Sequence, residues 1–325
     1  MKAMQIARTG GPEVLTLVDI EAPNPRVGEL LVKVDAASVN FADTVRRRGA
    51  FYPAPTRLPI VLGSEICGTV VSVGDGVTGW QPGSRLIGLL DHGGYAEYVI
   101  VEARSAISIP EDTDSSIAAA IFVQGMTALL VLDDVGGPVT GRNVLVEGAA
   151  GGVGGLAVQI ARLLGARHVI GAVSSPDKGE LARELGATGT VNYTEPGWEE
   201  AARALTNNEG FDLILHVQGG EALARELALL RPSGRIVAYG AASNEPMLVD
   251  AAHMLGGNLG VCGFYLGAHL ADAERMKRQF SRLMGWVESG RITVPIGGCF
   301  PLAEAARAHA LLESRQSTGK LILKP

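Results

Sequence analysis

The sequence predicts an α/β protein of two domains, one β-rich and barrel-like and one built on a doubly wound parallel sheet. Three observations support this prediction. The chain has 325 residues, more than a single hydrophobic core usually supports. Glycine and proline separate short strand-like segments up to about residue 123. Strand-like segments then alternate with helical ones from about residue 124 to residue 264.

The first region reads as short strands separated by the turn sequences GDG, QPG and HGG. This pattern is typical of a β-rich, barrel-like domain. The strand-like segments are ELLVKVDAASV at 29–39, GTVVSVGDGV at 68–77, SRLIGLL at 84–90 and YAEYVIV at 95–101.

The second region alternates in type, which predicts a parallel sheet covered by helices on both faces. After it come a helix near 272–289, a strand at 295–300, a helix at 302–314 and a last strand at 320–325. In the alternating region the predicted strands lie at 143–149, 168–173, 189–193, 211–218, 234–241 and 258–264, and the predicted helices at 155–166, 176–187 and 222–230.

A glycine-rich turn joins the first strand of the alternating region to its first helix, within VLVEGAAGGVGGLAVQIARLLGA at 144–166. It matches the dinucleotide fingerprint G-x-G-x-x-G at Gly151 and Gly154, with Ala149 in the first position. Gly151 would let the backbone approach a pyrophosphate, and Gly154 would allow close packing of helix on strand. The predicted contacts are the backbones of Ala150, Gly151, Gly152 and Val153. A glycine turn without a ligand is the alternative.

The end of the next strand indicates which dinucleotide binds. An NAD site usually has Asp or Glu about 20 residues after the fingerprint, whereas this chain has AVSSPDK. Ser174 and Ser175 can donate hydrogen bonds to a 2'-phosphate and Lys178 can pair with it, which favours NADPH. In the alternative interpretation Ser175 only caps the helix that Pro176 opens. Asp177 could instead bind the ribose hydroxyls.

Composition excludes several classes of protein. The net charge of -6 offers no basic surface for a nucleic acid, and no uninterrupted apolar segment reaches the roughly 18 residues of a membrane-spanning helix. The amino terminus lacks the apolar core of a signal peptide, so we expect a cytoplasmic protein. Cys67, Cys262 and Cys299 are far apart, which indicates buried or inert thiols and no metal cluster.

Several motifs in order along the chain resemble the zinc-free quinone oxidoreductases, the zeta-crystallin-like group of the medium-chain dehydrogenase/reductases. The resemblance implies a GroES-like catalytic domain of residues 1–123 and 265–325, a Rossmann NADP(H)-binding domain of residues 124–264, and a cleft for the nicotinamide. The motifs are SVNFADTVRRRGAFY, LPIVLGSEICGTVVSVGDGVTGWQPGSRL, GGYAEY, QGMTALLVL, GAAGGVGGLAVQIARLLGA and STGKLIL.

The zinc alcohol dehydrogenases related to this group carry metal ligands where this chain has Asn40, Ser64 and Gln124. None of these three side chains is a usual zinc ligand. We therefore expect no catalytic metal and no structural zinc. Glu65, in the same segment as Ser64, is interpreted as a structural carboxylate under the site.

The resemblance also implies individual roles. Asn40, Tyr52 and Gln124 would form the catalytic site, with Asn40 also contacting the cofactor. Each of these residues could instead have a purely structural role. Asn40 could form an Asx turn, and Tyr52 could be an ordinary aromatic residue of a loop. The remaining cofactor contacts implied are Thr127, Tyr193, Gly240, Phe264 and Lys320.

Without zinc, a simple carbonyl lacks the Lewis acid that polarises it, so alcohol oxidation is disfavoured. Quinones and enones suit such a site because hydride addition to a conjugated carbon places charge on an oxygen that hydrogen bonds can stabilise. The sequence predicts an NADPH-dependent quinone or enone reductase. The alternatives are an enoyl-thioester reductase and a non-enzymatic dinucleotide-binding, crystallin-like protein. A homodimer is expected, with the segment 258–264 at a sheet edge.

Overall fold

The structure is a computed structural model that describes residues 1–243 and 245–325. It contains two compact units, Met1–Phe122 with Ile296–Pro325, and Val123–Pro295. The strands are β1 (Lys2–Ile6), β2 (Thr16–Asp19), β3 (Glu29–Val39), β4 (Ile60–Val61), β5 (Glu65–Val73), β6 (Arg85–Leu89), β7 (Tyr98–Glu102), β8 (Ile107–Ser108), β9 (Asn143–Glu147), β10 (His168–Val173), β11 (Gly189–Asn192), β12 (Phe211–His216), β13 (Leu230–Ala238), β14 (Gly260–Gly263), β15 (Ile296–Pro301) and β16 (Lys320–Lys324).

The helices between these strands have 7 to 16 residues, or about two to more than four turns. They are α1 (Phe41–Arg48), α2 (Ser115–Leu130), α3 (Gly152–Leu163), α4 (Pro176–Glu184), α5 (Trp198–Ala204), α6 (Glu221–Leu227), α7 (Ala251–Gly257), α8 (Ala273–Glu288) and α9 (Ala305–Glu313). Short 3₁₀ turns lie at Pro12–Val14, Leu266–His269 and Leu302–Glu304.

The first unit is the GroES-like domain that the sequence predicts. A sheet of order β15-β16-β3-β5-β6-β8, with β7 also on β3, lies with a smaller sheet of order β2-β1-β4. The long central strand β3 alternates in burial, and Leu30 and Val32 on its inward face are fully buried. The last strand of the chain, β16, pairs antiparallel with β3. This pairing brings residues near 320 to the end of β3, close to Asn40 in the chain.

The second unit is built on a six-stranded sheet of order β11-β10-β9-β12-β13-β14. All of its strand pairs are parallel. Numbered on their own, the strands run 3-2-1-4-5-6, the order of the dinucleotide-binding Rossmann fold. Because parallel strands end at one edge, the segments after β9, β10, β11, β12 and β13 all lie at the carboxyl edge of this sheet. The predicted Rossmann architecture is therefore confirmed.

The boundary between the units differs from the predicted one. Residues 265–295, assigned to the catalytic domain from sequence, belong to the second unit. The reason is that side chains far apart in the sequence contact each other, which the order of predicted strands and helices does not reveal. Gln159 on α3 donates to the Thr293 carbonyl and accepts from the Thr293 amide, both at 2.8 Å. Arg282 on α8 pairs with Asp133 at 2.6 Å. These contacts fix α8 and the segment after it to the second unit.

The helices α1, α2, α5 and α7 were not predicted. α1 follows directly on β3, and the Asp43 carboxylate accepts from the Asn40 amide at 2.9 Å, as in a capping box. α2 continues as a π-helical turn over Val131–Val135. The region up to residue 123 looked entirely strand-like because α2 is apolar on nearly every face and lacks a helical stripe.

Among the described residues, the helix Ser115–Val135 is the one segment long and apolar enough to cross a membrane by length and composition. Within its apolar window, 83% is buried inside the structure. Because a buried core helix passes the same test, this finding is weak evidence for a membrane span.

Candidate functional site

The turn between β9 and α3 has two glycines that differ in what surrounds them. A Cβ at Gly154 would lie 2.1 Å from the Gly148 carbonyl oxygen, so this position must be glycine for the helix to pack. A Cβ at Gly151 would meet only that oxygen, at 3.2 Å. The backbone of Gly151, Gly152 and Val153 is partly exposed at the amino end of α3, and Ala150 is buried. Backbone amides at a helix amino terminus suit a pyrophosphate.

The end of β10 brings together the three residues predicted to bind a 2'-phosphate. The Lys178 ammonium donates to the Ser174 hydroxyl at 3.1 Å. The Ser175 hydroxyl caps α4 by accepting from the Lys178 amide at 3.4 Å, which leaves its hydroxyl hydrogen for the predicted bond to a phosphate. Ser174, Ser175 and Lys178 are all partly exposed, and Asp177 is exposed in the first turn of α4. An ammonium with two hydroxyls is a donor set for a phosphate.

The other predicted cofactor residues of the second unit follow neighbouring strands. The Tyr193 amide donates to the Val173 carbonyl at 2.9 Å, which places Tyr193 next to the segment of Ser174. Gly240 lies just after β13, where a Cβ would be 2.7 Å from Val217. The Phe264 amide donates to Ala238 at 2.8 Å. Tyr193, Gly240 and Phe264 therefore all lie at the carboxyl edge of the six-stranded sheet.

Gln124 and Thr127 lie one helical turn apart on α2 and are 7% exposed each. This spacing puts both side chains on one face of the helix. Each keeps a small part of its surface accessible, which the predicted roles require.

A closed cluster of ionisable side chains lies under the glycine turn. It consists of Glu147, His216 and Glu226, which we call the His216 cluster, and these side chains are 2%, 0% and 1% exposed. His216 Nδ1 lies 2.7 Å from Glu226 Oε2 and 3.2 Å from Glu147 Oε2. Glu147 also accepts from the amides of Val217 and Gln218, at 2.7 and 2.9 Å. The cluster thus fixes the loop after β12 against the end of β9.

The proton count of the His216 cluster follows from its geometry. The Gly219 amide donates to His216 Nε2 at 2.8 Å, so this nitrogen carries no hydrogen. Burial disfavours the charged ring of His216, whereas the hydrogen bonds to Glu147 and Glu226 act to raise its pKa. Because Nε2 already accepts from the Gly219 amide, His216 is neutral with its hydrogen on Nδ1. Burial and the Glu147 charge raise the pKa of Glu226 to about 8. A second ring hydrogen, on Nε2, would face the Gly219 N–H. At neutral pH the other proton of the cluster therefore lies on the Glu226 carboxyl group. The cluster then carries one negative charge, on Glu147.

Glu147, His216 and Glu226 also offer three ligand-type atoms within 4.8 Å of one another. A metal ion would have to displace the Val217 and Gln218 amides from Glu147, and it would have to replace the hydrogen that His216 Nδ1 carries while Nε2 accepts from the Gly219 amide. The hydrogen bonds explain this arrangement without an ion.

The first unit contains a second polar network, centred on a buried lysine. The Lys320 ammonium donates to Asn40 Oδ1 at 2.5 Å, and both residues are 4% exposed. Sequence reasoning named both, 280 positions apart, and the pairing of β16 with β3 brings them together. Burial lowers the pKa of Lys320 to about 8, with the charges of Glu65 and Asp43 opposing the shift.

Asn40 extends this network through its amide group. Asn40 Nδ2 donates to Ser38 Oγ at 3.4 Å and to Ser64 Oγ at 3.3 Å. Ser38 in turn donates to Glu65 at 2.6 Å, which makes Glu65 the structural carboxylate that the sequence indicated. We call Lys320, Asn40, Ser64, Ser38 and Glu65 the Lys320 network. Sequence reasoning missed Ser38 and treated Ser64 only as a lost zinc ligand.

Tyr52 lies on the buried guanidinium of Arg46, whose Cζ is 4.9 Å from the ring centroid. Arg46 also donates to the carbonyls of Pro55, at 3.1 Å, and of Asp91. The arginine therefore holds the loop that carries Tyr52, and no sequence signal marked it for this role.

The donor set around Asn40 does not fit a zinc ion. Asn40 and Ser64 offer neutral oxygen and nitrogen atoms, and the Lys320 ammonium at Asn40 Oδ1 would repel a cation. The three cysteines are free thiols. Cys67 is buried, and its burial raises its pKa to about 11. Cys262 is partly buried and Cys299 is exposed, so of the expected buried or inert thiols only Cys67 is fully buried.

Comparisons with known proteins agree with this architecture. Residues 26–111 match the alcohol dehydrogenase GroES-like domain, and residues 152–288 match the family described as zinc-binding dehydrogenase. The second match extends past residue 264 and covers all of α8, which also belongs to the second unit.

Similar proteins extend over the whole chain. A quinone oxidoreductase of Pseudomonas aeruginosa is 35% identical over 100% of this chain and 99% of its own. A 2-haloacrylate reductase of a Burkholderia species is 33% identical over 99% and 98%. A mycobacterial protein solved in complex with NADPH superposes with a TM-score of 0.94 at 36% identity, covering 100% of both chains. The chain therefore belongs to the zinc-free quinone oxidoreductase group of the medium-chain dehydrogenase/reductase superfamily.

Proposed function

We propose that this protein is an NADPH-dependent, zinc-independent reductase that transfers hydride to a quinone or another α,β-unsaturated carbonyl compound. The observation that carries the proposal is the pair formed by Lys178 and Ser174 at the end of β10, with its N–O distance of 3.1 Å. A cation and a hydroxyl stand where an NAD site has a carboxylate. The mycobacterial relative solved with NADPH supports the same cofactor.

The residues present fit such a cofactor at both of its charged groups. The amides of Gly151, Gly152 and Val153 would hold the pyrophosphate, and Ser174 and Lys178 would hold the 2'-phosphate. When bound, NADPH supplies the hydride. The proposed contacts to the rest of the cofactor remain Tyr193, Gly240, Phe264, Thr127, Asn40 and Lys320. The proposed catalytic residues remain Asn40, Tyr52 and Gln124.

Two observations support a conjugated substrate. The side chains at the positions of the zinc ligands provide hydrogen-bond donors and no Lewis acid, so the oxygen of an isolated alcohol or ketone receives little activation. Two relatives are named for a quinone and for a 2-haloacrylate, and each name denotes a compound with a conjugated carbon-carbon double bond.

A steady-state assay tests this function. Chelator-treated protein should oxidise NADPH in the presence of small quinones or enones, with NADH a poorer donor and with no gain on adding zinc. Incubation with NADP⁺ and simple alcohols should give no NADPH. If NADPH binds and no quinone or enone is reduced, the non-enzymatic, dinucleotide-binding alternative replaces the proposal.

We also propose a homodimer. β14 is an edge strand of the six-stranded sheet, and its residues are only partly buried. Edge strands with open hydrogen-bonding groups readily pair with a second copy. Sedimentation at micromolar concentration should give twice the chain mass of 33.8 kDa, and a mass of one chain would refute this proposal.

A further inference from the structure

Exposure is unequal along the Lys320 network. Ser38 and Glu65 are 0% exposed, and Asn40 and Lys320 are each 4% exposed. Ser64 is partly exposed. From the buried cation, the network therefore extends to a serine that is partly exposed.

The hydrogen bonds of the network have a defined direction. Lys320 donates to Asn40 Oδ1, and Asn40 Nδ2 donates to Ser64 Oγ. Because Ser64 accepts from Asn40, the hydroxyl hydrogen of Ser64 points away from the amide and is available to an acceptor. Each donation polarises the next donor in such a chain. The ammonium thus makes Ser64 a stronger hydrogen-bond donor than an isolated serine.

We propose that the Ser64 hydroxyl binds the carbonyl oxygen of the substrate and stabilises the negative charge that this oxygen gains during reduction. The proposal rests on the proposed reductase function and names a residue for it. Ser64 is the catalytic residue of this step, since it touches the substrate. Asn40 and Lys320 position Ser64 through their hydrogen bonds, in addition to their proposed contacts with the cofactor.

The reaction step balances as follows for an enone. Hydride addition to the β-carbon forms a C–H bond there and would break the C–H bond that carries the hydride in NADPH. The carbon-carbon π pair moves to the bond between the α-carbon and the carbonyl carbon, and the carbonyl π pair moves onto the oxygen. The substrate gains the two electrons that NADPH loses in becoming NADP⁺. The Ser64 hydroxyl donates a hydrogen bond to the resulting enolate oxygen and keeps its own proton. Water supplies the proton that completes the saturated ketone.

The position of Ser64 suits this role because its neighbours leave few degrees of freedom. Its carbonyl accepts from the Leu90 amide at 2.9 Å, and Glu65 begins β5 directly after it. A donor held by a rigid strand and by Asn40 needs little reorganisation as charge develops on the substrate.

The test is a kinetic comparison of Ser64→Ala and Ser64→Thr with the wild type and with Ser84→Ala. Ser84 is a serine of the same unit, in a turn outside the network. The substrates are a series of aryl enones with electron-withdrawing to electron-donating substituents. NADPH affinity is measured separately by fluorescence titration.

We expect Ser64→Ala to lower kcat about 100-fold, in the range found when a single donor to a developing oxyanion is removed. Its NADPH affinity should stay at the wild-type value, and Ser64→Thr should restore most of the rate. The loss should grow with the basicity of the enolate, because a weakly stabilised anion depends most on the hydrogen bond. A structural role would lower the rate equally across the series.

The outcomes separate the two proposals. If the wild type reduces the enones and Ser64→Ala matches it, or loses the same factor on every substrate, the role of Ser64 is refuted and the reductase function stands. If the wild type reduces none of the enones or quinones, the proposed function itself fails, and Ser64 has no such role.

Discussion

The two buried polar networks use similar groups and differ at their ends. The His216 cluster is closed: Glu147, His216 and Glu226 are at most 2% exposed, and amides of the following loop donate to Glu147 and to His216. The Lys320 network is open, because it ends at the partly exposed Ser64. A polar group satisfied on every side by its own chain stabilises structure, whereas one left open at the surface can serve a ligand.

The same distinction applies to the glycine turn. Gly154 has no room for a Cβ because the Gly148 carbonyl is there, whereas the space beside Gly151 is filled far less by the protein itself. The predictions below test whether closed positions control stability and open positions control binding and turnover. They begin with the largest expected effect.

Removing His216 from the closed cluster should cause the largest loss of stability. His216→Ala leaves the Glu147 charge and the Gly219 amide without their buried partner, so the free energy of unfolding should fall by about 3 to 5 kcal/mol. Glu226→Gln should change it by less than about 1 kcal/mol at neutral pH, since an amide resembles the protonated acid. Urea denaturation followed by circular dichroism measures both values. Equal losses for the two variants would mean that Glu226 is ionised and that the proton count is wrong.

The two glycines should separate stability from affinity. Gly154→Ala places a methyl group 2.1 Å from the Gly148 oxygen, and such overpacking typically costs about 1 to 3 kcal/mol of stability. Gly151→Ala should keep the melting temperature nearly unchanged and weaken NADPH and NADH alike. Thermal unfolding and cofactor titration on both variants check this. A lower melting temperature for Gly151→Ala, together with weaker cofactor binding and unchanged stability for Gly154→Ala, would contradict the proposed role of Gly151 in binding.

Lys178 tests the open site at the end of β10. A charge-assisted hydrogen bond is worth about 1.5 to 3 kcal/mol, so Lys178→Ala should weaken NADPH binding about tenfold or more. NADH affinity should hardly change, and Ser174→Asp should reverse the preference. The measurement is the dissociation constant of each cofactor for the wild type, Lys178→Ala and Ser174→Asp. A Lys178→Ala variant that loses NADPH and NADH affinity by the same factor would remove the main support for NADPH.

Much of the fold could be predicted from sequence because its signals are local. The strand, glycine turn and helix around Gly151 occur in order, and Ser175 before Pro176 marks a helix start. The domain boundary was wrong because the contact between Gln159 and Thr293 spans 134 positions and leaves no local pattern.

The candidate site could be predicted only in part, for the same reason. Asn40 and Lys320 were identified by resemblance, while their contact and the direction of donation toward Ser64 depend on how β16 pairs with β3. The His216 cluster was missed altogether. Glu147, His216 and Glu226 lie on two strands and a helix, and isolated acidic and histidine residues carry no signal of a shared proton.

The pH dependence of kcat for enone reduction tests the central claim most directly, because both networks contain a group with a pKa of about 8. These groups are Lys320 in the open network and Glu226 in the closed one. If the open network serves turnover, wild-type kcat falls as pH rises through about 8 and the ammonium loses its proton.

Lys320→Met should then turn over slowly at every pH and lose this inflection, while Glu226→Gln should retain the wild-type profile. The measurement is kcat at saturating NADPH and enone between about pH 6 and pH 10 for the three proteins. An inflection that persists in Lys320→Met and disappears in Glu226→Gln would assign turnover to the closed cluster and contradict the account.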